Sequence, residues 1–241
     1  MAFTPTHRIG LVTPSSNPAY EPEMRALLPD RIAVHATRLP VMPGTTLQER
    51  NSHYIPAYSE AIASFGTLPL NALAIGLTGP SYALSPEEDQ GLQARLSRQA
   101  GRPVILPTLA ISLAMERVGL RRALIFSAYP GWLTDRAEAY WRAAGIEVVD
   151  VFKVSDVFRA YELNTAEIVA ALGRISVPDD AAVIMSGTGM SSLDALDECQ
   201  AGCKALLLPS NLAVAFAALR LLRQQPSEAF RTVSARLAAV V

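Results

Sequence analysis

The 241-residue chain is half hydrophobic and carries 21 basic and 22 acidic side chains, which gives a formal net charge of −1. This balance excludes the basic surface that nucleic-acid binding requires, so the expected partner is a small molecule or another protein. Cys199 and Cys203 form neither a CxxC motif nor a disulfide framework, and no apolar run approaches the ~20 residues that span a bilayer. We therefore expect a cytoplasmic protein that does not contact membranes.

Short aliphatic segments alternate with longer helical patterns along the whole chain. Strands are predicted over residues 8–14, 31–39, 71–77, 103–107, 121–128, 146–152, 181–187 and 204–210. Helices are predicted near 20–28, 46–65, 86–100, 108–118, 131–144 and 165–174, from about 190, and after 211. Strands that are apolar on successive residues are covered on both faces, as in parallel sheets. The pattern therefore predicts an α/β fold with parallel sheets.

Two pairs of segments repeat at about half the chain length. "HRIGLVTPSS" resembles "RRALIFSAYP", and the turn at residues 77–81 aligns without a gap with the turn at 187–191. These repeats predict two similar lobes, 1–110 and 111–210, with the C-terminal helices at 211–241 completing the first lobe. The alternative is that βα turns share Gly, Ser and Thr only because turns require them.

The repeated turns follow strands, at the sheet edge where open α/β sheets bind ligands. Hydroxyls beside backbone N–H groups suit a carboxylate or an enolate oxygen, and the two turns offer Thr78, Ser81, Thr188, Ser191 and Ser192. Alternatively, each hydroxyl only caps the helix that follows it, a contribution of about 1 kcal/mol. Two matched turns in facing lobes favour a site for one small anion.

Other kinds of site lack their signatures. There is no P-loop, and "GTGMSS" has neither the third glycine nor the downstream acid of a dinucleotide fingerprint. His7, His35 and His53 have no carboxylate at metal-ligand spacing. "GTGMS" is not a GxSxG elbow, and no histidine follows it to complete a serine triad. We therefore expect no cofactor, no metal and no serine hydrolysis.

Five segments carry a family resemblance over nearly the whole chain. They are "IGLVTPSSNPAYEPEM", "LTGPSY", "ALIFSAYPGWLTDRAEAYWRAAGIEVVD", "SGTGMSSLDAL" and "LLLPSNLAVAFAALR", of which the "PSSN" turn and the long third segment are the most specific. On these segments the chain resembles the aspartate/glutamate racemase superfamily, in its maleate cis-trans isomerase and arylmalonate decarboxylase branch. The resemblance implies two Rossmann-like lobes, related by a pseudo-twofold axis, that hold a small carboxylate in the cleft between them.

The resemblance also implies roles for individual residues. Asn17 would grip a substrate carboxylate, and Tyr129 would donate a hydrogen bond to a carboxylate or enediolate oxygen. Thr78 and Thr188 would act in catalysis from the two half-sites. The other implied binding positions are Gly79, Ser81, Tyr82, Gly187, Gly189, Met190, Asn164 and Asn211.

The chain differs from these relatives at the positions of the catalytic cysteines. Racemising and isomerising relatives use a cysteine from each Thr-Gly-type turn and the decarboxylases keep only the second, but here the two positions are Leu77 and Gly187. Cys199 and Cys203 lie about three helical turns or more beyond the second position, so they do not replace it.

The resemblance therefore implies a cofactor-independent lyase (decarboxylase) or isomerase that acts on a small carboxylate or dicarboxylate. It would pass through an enediolate-like intermediate without a catalytic cysteine, and Tyr129, Tyr82, Ser186 or water would supply the proton. The alternative is a catalytically inactive carboxylate-binding protein of the same fold. The apolar C-terminal helices could also form a subunit contact in a homo-oligomer.

Overall fold

A computed structural model describes residues 4–200 and 202–241 and contains two four-stranded sheets. The first sheet has the order β2 (Ile32–Arg38), β1 (His7–Thr13), β3 (Ala72–Ile75), β4 (Val104–Ile105). The second has the order β6 (Glu147–Lys153), β5 (Arg122–Ser127), β7 (Ala181–Ser186), β8 (Leu206–Pro209). Every neighbouring pair is parallel, and the strand order is the same in both sheets. The prediction of two similar lobes with parallel sheets is confirmed.

The helices follow the predicted rhythm. They are α1 (Tyr20–Leu27), α2 (Leu47–Ala63), α3 (Pro86–Ala100), α4 (Pro107–Arg117), α5 (Gly131–Ala143), α6 (Thr165–Leu172), α7 (Leu193–Gln200), α8 (Ser210–Leu222), α9 (Glu228–Val233) and α10 (Ala235–Ala238). Thr46, Ser85 and Asn164 begin α2, α3 and α6 with capping boxes, which satisfy backbone N–H groups at these helix starts. Within the described part of the chain, no helix combines the length and apolar character needed to cross a membrane.

Two local features differ from the sequence prediction. The fourth strand contains two residues, because Pro107 already starts α4, where proline is favoured at the first helical position. A short 3-10 helix (Gly79–Ala83) follows the turn after β3. This helix contains residues that the sequence assigns to the first half-site.

Burial explains why the strand segments are apolar on both faces. Every residue of β3, β7 and β8 is buried, and eleven residues of α8 are buried as well. Helix α8 packs against α1 and α4, which follow strands of the first sheet. Helix α9 packs against α1 and against α7, which follows a strand of the second sheet. The C-terminal helices therefore join the two halves of the molecule. The lobe limits near residues 110 and 210 stay a prediction.

Candidate active site

One cavity of about 330 Å³ lies where the carboxyl ends of four strands meet. The segments that follow β1, β3, β5 and β7 all contribute to its wall, together with α2 and the segment after β6. Ligand sites in open α/β sheets occupy this position. The lining residues are Pro14, Ser15, Ser16, Val41, Met42, Leu47, Arg50, Asn51, Tyr54, Gly76, Leu77, Thr78, Gly79, Pro80, Tyr129, Leu133, Phe158, Ala160, Tyr161, Glu162, Gly187, Thr188 and Gly189.

Two hydroxyls from different lobes pair on the wall of this cavity. Thr78 Oγ1 and Tyr129 Oη are 2.8 Å apart, and both side chains are buried. Burial raises the pKa of Tyr129 well above its usual value, so the phenol stays protonated at neutral pH. One of the two hydroxyl hydrogens joins the pair, and the other can be donated to a further oxygen.

Gly187 places the second turn against the same tyrosine. Its φ is +114°, and a Cβ added there would lie 3.1 Å from Tyr129 Oη. The Gly187 N–H donates to Ser210 Oγ at 3.3 Å. No acceptor within the described residues takes the N–H groups of Thr188 and Gly189, although both residues line the cavity. These two amides are therefore available to an anionic ligand.

Thr188 holds the two lobes together through its hydroxyl. Thr188 Oγ1 accepts a hydrogen bond from Asn17 Nδ2 at 3.0 Å and donates to the carbonyl of Gly76. The other side-chain atom of Asn17, Oδ1, accepts from the N–H groups of Ala19 and Tyr20. Because most of the hydrogen-bonding capacity of Asn17 is used inside the protein, its structural role is to position Thr188.

A buried carboxylate that the sequence analysis missed supports this turn from behind. Glu23 on α1 accepts hydrogen bonds from the N–H groups of Ser192 and Leu193 and from Asn211 Nδ2, the last at 2.7 Å. Asn211 also donates to the carbonyl of Thr188 at 3.0 Å. Burial raises the pKa of Glu23, against the effect of these donors. Glu23 and Asn211 therefore fix the backbone on both sides of the turn.

Another buried hydrogen bond crosses the interface between the lobes. Tyr82 Oη and Ser186 Oγ are 2.8 Å apart, and burial raises the pKa of Tyr82 to about 12. Neither side chain lines the cavity. The geometry therefore favours a structural role for Tyr82 and Ser186 over proton delivery.

The structure separates the residues predicted from sequence into three groups. Seven of them line the cavity: Leu77, Thr78, Gly79, Tyr129, Gly187, Thr188 and Gly189. Asn17, Ser81, Tyr82, Met190 and Asn211 are buried outside its wall. Asn164 was predicted near the site wall, but its side chain instead caps α6, where Oδ1 accepts the N–H of Glu167 at 2.9 Å.

Several wall residues were absent from the sequence prediction. Phe158 stacks on the Tyr129 ring at 6.0 Å between centroids and contacts Tyr161 edge-on at 4.9 Å. Tyr161 packs so closely on Gly189 that a Cβ there would lie 2.1 Å from the ring. Arg50 and Tyr54 reach the cavity from α2. A signal for α2 existed, because Leu47, Arg50, Asn51 and Tyr54 have the i, i+3, i+4, i+7 spacing of one helix face.

Neither cysteine reaches the cleft. Cys199 and Cys203 are half-buried and line a separate cavity beside α6 and α7. Within the described residues there is also no cluster of three His, Cys, Asp or Glu side chains that could hold a metal ion. The described wall of the cleft carries hydroxyls, backbone amides and the charged side chains of Arg50 and Glu162.

Comparison with known proteins places this architecture in one family. The profile of the arylmalonate decarboxylase family matches residues 9–233. The maleate isomerase of Geobacillus stearothermophilus is 27% identical over 216 residues, covering 80% of this chain and 82% of that protein. The maleate isomerase of Pseudomonas putida S16 shares the fold with a TM-score of 0.83 at 20% identity, covering 91% of this chain and 94% of that one.

A further solved structure is a Nocardia farcinica maleate cis-trans isomerase variant with a covalently bound succinylcysteine intermediate. Its TM-score is 0.81 at 20% identity, and 91% of this chain and 94% of that chain are covered. Both comparisons with solved structures fall below 25% identity and bear on the fold, whereas the family profile covers almost the whole sequence. The chain belongs to the arylmalonate decarboxylase family.

Proposed function

We propose that the chain is a thiol-independent decarboxylase of a malonate-type acid that passes through an enediolate. The observation that carries this proposal is the convergence of the Thr78–Tyr129 hydroxyl pair and the Thr188 and Gly189 amides on one cavity. Family membership supports a lyase or isomerase, and the lyase is favoured because a missing thiol can be replaced by water as proton donor but not as the nucleophile that forms a covalent adduct. Isomerisation through a cysteine adduct, as in the Nocardia farcinica enzyme, lacks its nucleophile here.

Decarboxylation requires stabilisation of one developing charge. The bond between the α carbon and one carboxylate breaks, CO₂ leaves, and the electron pair moves into the remaining carboxylate to form an enediolate. Hydroxyl and amide donors directed at those oxygens lower the barrier, and loss of one such donor costs about 3 kcal/mol. Leu77 and Leu133 supply apolar wall beside these donors, where a departing carboxylate would be poorly hydrated.

The proton that completes the reaction comes from solvent water in this proposal. Tyr129 is a hydrogen-bond donor and not an acid, because its raised pKa makes loss of the phenolic proton costly. Protonation of the enediolate by unpositioned water does not select one face of the α carbon. A prochiral malonate is therefore expected to give both enantiomers of its product.

The second candidate is a carboxylate-binding protein without catalysis. The tyrosines that line the cavity all have raised pKa values, mainly because of burial, so none is suited to proton transfer at neutral pH. This observation is compatible with binding alone. The two candidates share the same hydrogen-bond donors and differ only in whether CO₂ is released.

Incubation with phenylmalonate and an α-methyl-α-arylmalonate in D₂O tests the proposal. The expected product carries deuterium at the α carbon by NMR, and the methylated substrate yields a near-racemic acid. Tyr129→Phe should lower the rate about 100-fold while changing the unfolding free energy far less. Phenylmalonate binding without CO₂ release would establish the second candidate, and equal rates in wild type and Tyr129→Phe would refute the assigned donor.

A further inference from the structure

We propose that α2 binds a second anionic group of the substrate, so that the preferred acid carries a carboxylate at its far end as well as at the reacting carbon. The α2 wall is defined as Leu47, Arg50, Asn51 and Tyr54, which share one face of the helix and line the cavity. This inference rests on the proposed function, because it assigns the opposite end of the same substrate. A helix face turned toward a core would be apolar, but this face carries a cation and an amide.

Arg50 has no carboxylate partner in the described part of the protein. It is half-buried, it forms no ion pair within 4.0 Å in the described residues, and Nη1 donates a hydrogen bond to the Thr45 carbonyl at 2.6 Å. Glu162 is the one acid among the described lining residues, and it pairs with Arg159 instead, at 3.6 Å. A partly desolvated guanidinium without a carboxylate partner is complementary to a carboxylate, which it can bind in a bidentate manner.

Asn51 supplies a second, independent indication of a ligand. Its Nδ2 is buried and has no hydrogen-bond acceptor among the described residues. Its Oδ1 lies against Gly79, where an added Cβ would be only 2.7 Å away, so the amide is held between α2 and the first half-site. Buried donors in native proteins are almost always paired, and this one would pair with an oxygen of a bound acid once the amide turns toward the cavity, because Nδ2 itself has almost no accessible surface.

The tyrosine one turn further along α2 reinforces the positive charge. The Arg50 guanidinium lies near the Tyr54 hydroxyl and opposes the increase in the Tyr54 pKa that burial causes. A neutral phenol beside a guanidinium adds a hydrogen-bond donor and no negative charge. The α2 wall therefore places a guanidinium and a phenol hydroxyl, both hydrogen-bond donors, at the cavity.

The cavity has room for an acid of this length. A volume of about 330 Å³ corresponds to roughly eleven water molecules at the ~30 Å³ that each occupies in the liquid. A malonate that carries a carboxymethyl group, which would lose CO₂ to give a four-carbon diacid, has about eleven non-hydrogen atoms, and these occupy less space when bonded than eleven separate waters do. The reacting carboxylate at Thr78 and Tyr129 and a second one at Arg50 can therefore belong to the same molecule.

Calorimetric titration with product-like acids tests the inference. The probes are succinate, glutarate and adipate, each matched with the monoacid of equal carbon number: butyrate, valerate and hexanoate. On the wild type, at least one diacid should bind about tenfold or more tightly than its monoacid. Arg50→Gln should reduce that ratio to within about twofold, whereas Arg50→Lys, which keeps the charge, should retain part of it.

Two control variants separate this inference from the proposed function. Arg95→Gln removes an exposed arginine of α3 outside the cavity and should leave the diacid preference unchanged. Thr78→Val should weaken diacids and monoacids alike. Equal binding of diacid and monoacid to the wild type, or an unchanged preference in folded Arg50→Gln, would overturn the inference and leave the proposed function standing. Failure of every acid to bind would overturn both.

Discussion

Gly187→Ala tests whether the second turn has the backbone that the structure gives it. The residue has a φ of +114°, in the region that L side chains rarely adopt. The new methyl group would also lie 3.1 Å from Tyr129 Oη and 3.4 Å from Cζ. The substitution therefore perturbs both the conformation of the turn and the hydroxyl pair that we assign to the enediolate.

The expected stability loss follows from two opposing contributions. A non-glycine residue in this region costs about 1–3 kcal/mol. Alanine also reduces the freedom of the unfolded chain, which returns about 0.4–1 kcal/mol. The net decrease in the unfolding free energy should be about 1–2 kcal/mol. Because the methyl group crowds the Tyr129 hydroxyl that pairs with Thr78, decarboxylation should slow by about tenfold or more, approaching the loss of one oxyanion donor.

Urea denaturation of matched glycine variants gives the measurement. Gly145 has a φ of +79° with no atom within 4 Å of an added Cβ, so Gly145→Ala bears the conformational cost without touching the site. Gly91 lies inside α3 with open space around it, and Gly91→Ala should stabilise the protein by about 0.5–1 kcal/mol. If Gly187→Ala unfolds and turns over phenylmalonate like the wild type, the described geometry of this turn is wrong.

Two further predictions concern buried carboxyls outside the cavity. Glu23→Gln replaces a carboxyl group that accepts from the N–H groups of Ser192 and Leu193 with an amide that brings its own donors. Urea denaturation should therefore show a loss of about 2–4 kcal/mol in the unfolding free energy, whereas the exposed Glu60→Gln should leave it unchanged. Burial raises the pKa of Asp89 in the folded protein above the ordinary aspartate value of about 3.8. The protonated side chain therefore contributes its full stability below about pH 3.8, and this contribution is lost as the pH rises through the folded-state pKa. The unfolding free energy of wild type relative to Asp89→Asn should therefore decrease above pH 4, by at most about 1.4 kcal/mol per pH unit, and a constant difference up to pH 8 would contradict this.

The sequence was sufficient for the fold because the relevant signals are local. Apolar runs of strand length followed by glycine-bearing turns predict parallel strands, and the repeated turns at 77–81 and 187–191 predict matching half-sites in two lobes. The strand order 2-1-3-4, repeated in the second sheet, agrees with this pattern. Residues directly in the turns, such as Thr78 and Gly189, lie on the cavity wall, and their roles stay a prediction.

Local sequence patterns do not predict the roles of side chains outside the turns, because these side chains form hydrogen bonds with residues far away in the sequence. Asn17 and Thr188 are 171 positions apart, and Asn211 and Glu23 are 188 apart, so no local pattern indicates that these groups satisfy each other. An asparagine at a ligand-binding position and an asparagine that supports it from behind look identical in sequence. The polar face of α2 differs, because helical spacing alone places Arg50 beside Leu47 and Tyr54.

The supports around Gly187 also bear on the loss of the thiol. The turn is fixed at several points: the Gly187 N–H bonds Ser210, the Thr188 hydroxyl bonds Asn17 and Gly76, and the Thr188 carbonyl accepts from Asn211. These bonds hold a backbone conformation that disfavours any side chain at position 187. If this is the position of the second family cysteine, as the resemblance implies, Gly187→Cys alone would meet the same conformational cost as Gly187→Ala. Regaining a thiol there would therefore require a change in the supporting hydrogen bonds as well as in the residue itself.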